Sequence, residues 1–265
     1  MTMKILMIGD IFGEPGRKAV TRLLPGLIKE HRLDFVVANG ENAVGGRGIN
    51  PKFSEKLFAI GVDVITTGNH IWDQKEIKSY ISEHPRLLRP ANYPSRQPGA
   101  GSVVVEAKNG IPVGVINIEG QLFIGRVDCP FQTVDRELAN MQGKAEIVLV
   151  DMHTEASSEK RGLGWHLAGR VAAVVGTHTH IPTADAEILP GGTAYVSDLG
   201  MTGPYESVIG MDCQTAASKL AGHNYERMKV ATGDVRFCSA LITVDEASKK
   251  ATTIGRLDIK IGPDD

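Results

Sequence analysis

The chain has 265 residues, enough for one large domain or two small ones, and a chain of that length buries most of its apolar surface without disulfide staples. Hydrophobic residues make up 42% and charged residues 23%, the ordinary globular range, which excludes a disordered or collagen-like chain. With 29 basic against 31 acidic residues the net charge is −2, so no global field draws nucleic acid or an anionic membrane, and any affinity for phosphate must come from a local site.

The amino-terminal apolar run, Ile5 to Ile8, is too short for a signal peptide. Later runs such as Ile147 to Val150 are strand-sized, so a cytoplasmic protein without a membrane span is expected. Lys4 to Gly9 reads as a strand, and Val20, Leu23, Leu24, Leu27 and Ile28 then recur at helical spacing around Pro25, which should kink the helix. Asp34 to Asn39 is a second strand ending in Gly40-Glu41-Asn42. Asn50 and Pro51 supply the N-cap and first turn of a helix that Gly61 closes. Val62 to Thr66 is a third strand ending in Gly68-Asn69-His70, and Asp73 with Glu76 makes a capping box for the next helix. Asp34 and Asp63, like Asp73, are expected to be helix caps or solvated turn residues. Strand followed by helix three times over implies a parallel sheet.

After Pro90 the texture changes. Ser102 to Ala107, Asn109-Gly110 and Ile111 to Ile118 form a hairpin signature. Glu146 to Asp151 and Val171 to Val175 are short, nearly continuous apolar strands of the buried parallel type, with a helix from about Ser158 to Gly169 between them. The tail from Ala186 alternates hairpins, including Ala194 to Ser197 and a Phe237 to Val244 strand paired with Ala251 to Lys260. No linker or repeat divides the chain, so residues 1–265 are expected to form one α/β domain with two sheets. Cys129, Cys213 and Cys238 are widely spaced, form no Cys-x-x-Cys pair and read as three small buried hydrophobes.

The polar residues carry the functional signal. Asp10, Glu41-Asn42, Asn69-His70, His153 and His178-Thr179-His180 each follow a predicted strand, and α/β folds place ligand sites at the carboxyl ends of strands. The 30 glycines are above the roughly 7% of ordinary chains. Gly9, Gly40, Gly68 and Gly176 stand just ahead of these polar residues, where they are expected to let the backbone turn sharply. In an extended segment His178 and His180 would leave one face about 6.6 to 7 Å apart and could reach two metals roughly 3.5 to 4 Å apart. A lone histidine is more often a hydrogen-bonded structural residue, and His31, His84, His166 and His223, without such company, carry no predicted role. Gly9 to Gly16 before a helix lacks the Gly-x-Gly start of a dinucleotide loop and offers a carboxylate where pyrophosphate would sit.

Gly68-Asn69-His70, His153 and Gly176-Thr177-His178-Thr179-His180 match, in order and spacing, the signature of the calcineurin-like metallophosphoesterases, which the chain resembles along nearly its whole length. Phe12 stands where that family usually has a metal-binding His, Gly40-Glu41-Asn42 replaces Gly-Asp, and Ile71 follows His70 where an acidic residue is usual. These departures, with Gly9-Asp10-Ile11-Phe12-Gly13 and Arg89-Pro90-Ala91-Asn92-Tyr93-Pro94, resemble the bacterial YmdB-type branch of 2′,3′-cyclic-nucleotide phosphodiesterases.

The resemblance implies an α/β/β/α sandwich of two mixed sheets. It also implies two transition-metal ions, with Fe or Mn favoured and Zn possible. Asp10, Asn42 and His180 would hold the first, Asn69, His153 and His178 the second, and Glu41 would bridge them. A hydroxide shared by the metals would attack a small phosphodiester, and His70 would protonate the leaving oxygen, with Asp73 a candidate partner for its ring. Two carboxylates against two divalent ions leave the loaded site positive, which attracts a singly charged diester. The family also implies a homo-oligomer. No basic run interleaved with aromatics suggests long nucleic acid. Phosphomonoesterase or nuclease action on RNA ends, or cyclic-nucleotide binding without turnover, are alternative readings.

Overall fold

The computed structural model describes residues 1–223 and 227–262. Its elements run β1 (Thr2–Ile8), α1 (Gly13–His31), β2 (Phe35–Asn39), α2 (Pro51–Ala59), β3 (Val64–Thr66), α3 (Ile77–Glu83), β4 (Ser102–Glu106), β5 (Pro112–Glu119), α4 (Pro130–Met141), β6 (Ile147–His153), α5 (Ser157–Leu167), β7 (Ala173–Thr177), β8 (Glu187–Leu189), β9 (Thr193–Val196), β10 (Gly203–Pro204), α6 (Cys213–Leu220), β11 (Val235–Asp245) and β12 (Lys250–Lys260).

Two six-stranded sheets form. One has the order β10-β11-β1-β2-β3 with β12 on β11, and the other β4-β5-β6-β7-β9-β8. Strands β1, β2 and β3 are parallel, as are β5, β6, β7 and β9, while the flanking pairs are antiparallel. Period-two alternation sorts the side chains between layers. Met3, Ile5, Met7, Phe35 and Val37 of the first sheet meet Val113, Val115, Ile147 and Leu149 of the second in one core between the sheets. The alternate residues Leu6, Ile8, Val36 and Ala38 pack under α1, α2 and α3. Ile116, Ile118, Val150 and Met152 pack under α4 and α5. The result is the α/β/β/α sandwich of two mixed sheets that the resemblance implies.

Local signals held where they were strong. The Asn50 side chain accepts from Phe53 N at 3.0 Å and Pro51 opens α2. The Asn109-Gly110 turn joins β4 to β5, with Gly110 at φ +82°. Helix α1 runs through Pro25 and ends at left-handed Arg32, φ +52°.

Several expectations fail. The Asp73–Glu76 capping box does not form, because Glu76 is itself the N-cap of α3 and makes no side-chain cap bond, while Asp73 is engaged elsewhere. Of the two alternatives for Asp34 and Asp63, the helix cap fails and the turn holds: both lie in half-buried bends just before a strand. Asp34 Oδ2 accepts from Lys4 N at 2.7 Å and Asp63 Oδ2 from Val36 N at 2.8 Å, so each ties the start of its own strand to the backbone of the preceding, neighbouring strand. Of the cysteines only Cys238 is buried; Cys129 is half-buried and Cys213 is exposed at the start of α6. Helices α4 and α6 have no counterpart in the sequence reading, although Val134, Leu138 and Met141 of α4 carry helical spacing and pack on the second sheet.

Candidate metal centre

The carboxyl ends of the parallel strands of both sheets converge. Asp10 follows β1, Glu41 and Asn42 follow β2, Asn69 and His70 follow β3, His153 ends β6, and His178 and His180 follow β7. The residues expected to bind metal all meet in one cluster. His153 Nε2 lies 2.9 Å from Glu41 Oε1, 3.2 Å from Asn69 Oδ1 and 3.0 Å from His178 Nδ1. His180 Nε2 lies 3.2 Å from Asn42 Oδ1 and 3.9 Å from Asp10 Oδ1. Asp10, Glu41, Asn42, His153 and His180 are buried, whereas Asn69 and His178 are partly open to solvent.

Each of the three imidazoles of the cluster turns one nitrogen into it and has the other engaged outside it, the arrangement that fixes a metal-binding histidine. His153 Nδ1 pairs with Thr177 Oγ1 at 2.9 Å, His178 Nε2 with Glu155 Oε2 at 3.1 Å, and His180 Nδ1 with the Ile209 carbonyl at 2.9 Å. The Asn42 amide donates to Gly46 O at 3.1 Å, which points its oxygen inward. Phe12, in place of a ligand, meets the His180 ring edge-on with centroids 5.2 Å apart and walls it in.

These residues fit divalent ions on four counts. Glu41, His153 and His178 offer ligand atoms within 4.8 Å of one another. Donor atoms of the cluster 2.9–3.2 Å apart have the spacing of neighbouring ligands on one ion bound at about 2.1 Å. Asp10 Oδ1 is buried with no hydrogen-bond partner, a cost that a bound cation removes. Finally, a Cβ on Gly68 would lie 2.2 Å from His153 Nε2 and 2.4 Å from Glu41 Oε2, so the glycine leaves the cradle open.

Two expectations about local geometry are corrected here. The His-x-His segment is not extended, since His178 and His180 both have positive φ, +96° and +65°. Gly9, Gly40, Gly68 and Gly176 are not among the glycines of positive φ; they are needed for close approach, as a Cβ on Gly176 would fall 1.6 Å from Ser197 O.

Electrostatics in the metal-free chain follow from burial and pairing. Burial opposes charge on both Glu41 and His153, but their mutual attraction wins, holding Glu41 at about 2 and raising His153 to about 9. Burial raises Asp10 to about 6, and burial with the neighbouring His153 lowers His178 to about 3. At neutral pH a proton on His153 thus stands where a cation would, and metal uptake must displace it. Calorimetry of Mn2+ uptake in buffers of different ionisation heat should show about one proton released per chain between pH 7 and 8. Apparent affinity should rise about tenfold per pH unit, flatten above about 9, and steepen below about 6 where Asp10 also takes a proton. Uptake independent of pH from 7 to 8 would show that His153 is not displaced.

Sequence reasoning missed the supporting residues. Asp151, ending no motif, accepts from Asn39 Nδ2 at 3.1 Å and Thr177 Oγ1 at 2.8 Å, and so sits behind His153. Glu119, ending β5, accepts from Tyr93 OH at 2.6 Å. Their only signal was position at a strand end. Beside the cluster lies a cleft of about 480 Å³ walled by Asn69, His70, Arg47, Trp72, Tyr93 and Arg126, among others. His70 Nδ1 lies 3.0 Å from Asp73 Oδ2, so the orienting carboxylate comes from within the same loop.

Comparison with known proteins agrees with this geometry. The profile of the family described as YmdB-like protein matches residues 6–257. The chain is 44% identical over 255 residues, 96% of each chain, to the 2′,3′-cyclic-nucleotide 2′-phosphodiesterase of Bacillus subtilis (strain 168). A solved structure of a hypothetical protein from Thermus thermophilus superposes with a TM-score of 0.91 at 39% identity, covering 98% of this chain and 100% of that one. A solved phosphatase from Mycoplasma pneumoniae gives 0.91 at 29% identity over 100% and 96%. With its strand-end cluster intact and the match running almost from end to end, the chain belongs to the YmdB-like family.

Proposed function

We propose that this protein is a metal-dependent phosphodiesterase that hydrolyses 2′,3′-cyclic nucleotides, with residues 1–265 acting as one catalytic domain. The convergence of Asp10, Glu41, Asn42, Asn69, His153, His178 and His180 at the head of the cleft carries the reading. The activity of the Bacillus subtilis relative supports the substrate class. Asp10, Asn42 and His180 would hold one ion, Asn69, His153 and His178 a second, and Glu41 both. Mixed nitrogen and oxygen ligation suits Fe or Mn, or Zn. Among the described residues no helix is long and apolar enough to cross a membrane.

When bound, the ions supply Lewis acidity, which lowers the pKa of water and offsets charge gathering on the phosphoryl oxygens. The chain's own residues do the rest. Asn42 and Asn69 contribute neutral oxygens, so the loaded site keeps the positive charge that draws a diester anion. Arg47 and Arg126 add positive charge to the cleft wall, and Trp72 and Tyr93 offer aromatic faces to a base. His70 lines the same cleft, and with Nδ1 held by Asp73 it can present Nε2–H to the departing ribose oxygen.

Asp73→Asn should lower kcat by about 10- to 100-fold, part of the 10²–10⁴ that a positioned acid contributes, with metal content unchanged. An unchanged kcat would remove Asp73 from the mechanism. The function itself is tested with metal-replete protein on 2′,3′-cyclic nucleotides, 3′,5′-cyclic nucleotides, phosphomonoesters and short RNA ends. Turnover confined to the first class is expected; preference for monoesters or RNA ends would overturn the reading, as would tight binding of the cyclic nucleotide without turnover. Elemental analysis should find two transition-metal ions per chain.

A further inference from the structure

Behind the metal-bearing loop lies a buried ion pair that the proposed reaction does not use. Lys160 on α5 and Asp198, just past β9, are 2% and 1% exposed. Taking both charges out of water costs several kcal/mol per ion, and a pair of this kind is poor as a device for stability alone. Its partners show what it holds. Lys160 Nζ donates to the Thr177 carbonyl at 2.8 Å and pairs with Asp198 Oδ2. The same oxygen accepts from Thr179 N at 3.2 Å and Thr179 Oγ1 at 2.8 Å, and Asp198 Oδ1 accepts from Gly200 N at 2.8 Å. Asp198 N and O are tied to Thr183 Oγ1 and N at 2.9 and 3.1 Å.

The residues gripped, Thr177 and Thr179, flank His178, and Thr179 separates it from His180. Both histidines have left-handed backbone, φ +96° and +65°, a conformation that residues with a Cβ adopt at a cost and keep only where their surroundings over-determine it. His178 N is also held by Asp10 Oδ2 at 3.2 Å, but that carboxylate belongs to the cluster itself. From outside the cluster, Lys160 and Asp198 hold the backbone on either side of His178, while Asp151 holds the Thr177 hydroxyl.

The geometry points to the Lys160–Asp198 pair as a positioning clasp that holds the Thr177–His180 loop in its left-handed form, so that His178 and His180 converge before metal arrives. This inference rests on the metal reading above. Lys160 and Asp198 are positioning residues, acting through the loop, and their effect is on metal affinity.

The test measures Mn2+ affinity by competition with a chelator, in the full-length chain stripped of metal. Wild-type protein is expected to take up two ions; if it takes up none, the metal reading fails and the clasp with it. The double variant Lys160→Met with Asp198→Asn removes both charges together and leaves no unpaired buried ion. It should bind Mn2+ about 10- to 100-fold more weakly, the usual effect of losing a partner that orients a ligand. Thr179→Val deletes a single arm at a half-buried position and should weaken Mn2+ by about threefold to tenfold, the weight of one hydrogen bond. Leu24→Ala, in the core beneath α1, is the control: it lowers the melting temperature but should leave Mn2+ affinity at the wild-type value. Wild-type affinity in a folded double variant overturns the clasp. If the double variant does not fold, wild-type affinity in Thr179→Val does so instead. An equal loss in Leu24→Ala would also overturn it, by showing that affinity merely follows stability.

Discussion

Glu41→Gln is expected to abolish activity on a diester, by about 10³-fold or more, and to leave the protein short of metal. The side chain is 1% exposed and touches the cluster with both oxygens. Oε1 lies 2.9 Å from His153 Nε2, and Oε2 accepts from His70 N at 3.2 Å. Gln keeps the shape and one oxygen but loses the charge. Several kcal/mol of charge stabilisation by a bound ion corresponds to about three orders of magnitude in rate, which sets the scale. A second signature separates this from simple damage. Burial disfavours the charged His153, and attraction to Glu41, with Asp10 and Asp151 behind it, raises it to about 9, so without the carboxylate His153 holds its proton less tightly. Residual Mn2+ uptake by the variant should therefore release fewer protons between pH 7 and 8 than wild type, which releases about one. Full activity, or an unchanged proton count, would remove Glu41 from the centre.

Gly68→Ala should be nearly as severe, for a purely steric reason. Its φ is outside the left-handed range, so the backbone accepts alanine there. The added Cβ, however, would stand 2.1 Å from His153 Cδ2, 2.2 Å from His153 Nε2 and 2.4 Å from Glu41 Oε2. Both neighbours are buried, so they must swing out of the cluster. A misplacement of about 1 Å at a reacting centre costs about 10²-fold, and overpacking a full site costs about 1–3 kcal/mol of stability. Metal content measured by elemental analysis should fall along with kcat, while circular dichroism stays native. Gly26→Ala is the matched control: it sits inside α1 with nothing within 4 Å of its would-be Cβ, so it should add about 0.5–1 kcal/mol of stability and leave metal content alone. A Gly68→Ala protein that keeps its full metal complement would show that the cradle is not where the ions sit.

Much of the fold was written locally. Period-two alternation in Met3 to Ile8 and in Val113 to Ile118 sets which face meets the other sheet, and Asn50-Pro51 starts a helix by chemistry contained in a few residues. The short helix α6 offers little such signal: Ala216 is its only buried residue, and its N-cap Asp212 has no apolar periodicity behind it. Asp73 shows how a correct local pattern can lose. It has capping-box spacing to Glu76, but a histidine ring three residues back holds the carboxylate.

The sequence by itself determined which polar residues converge, because polar groups placed just after strands must gather where parallel strands end, whatever the details of packing. It also determined, through Phe12 and Asn42, that the motif at the first two strand ends departs from the wider superfamily's pattern. Only the tertiary structure decided how those groups are held. Glu41 meets His153, and Asn39 meets Asp151, across more than a hundred residues of chain, and the left-handed turn at His178 and His180 depends on a lysine from one helix and an aspartate from beyond another strand. Pairings of that kind arise from the docking of one sheet on the other, and no local periodicity or propensity encodes them. The glycines show the same division: their surplus is visible in composition, but that Gly68 leaves room for His153 and Glu41 is a matter of which atoms come to lie within about 2 Å of its missing Cβ.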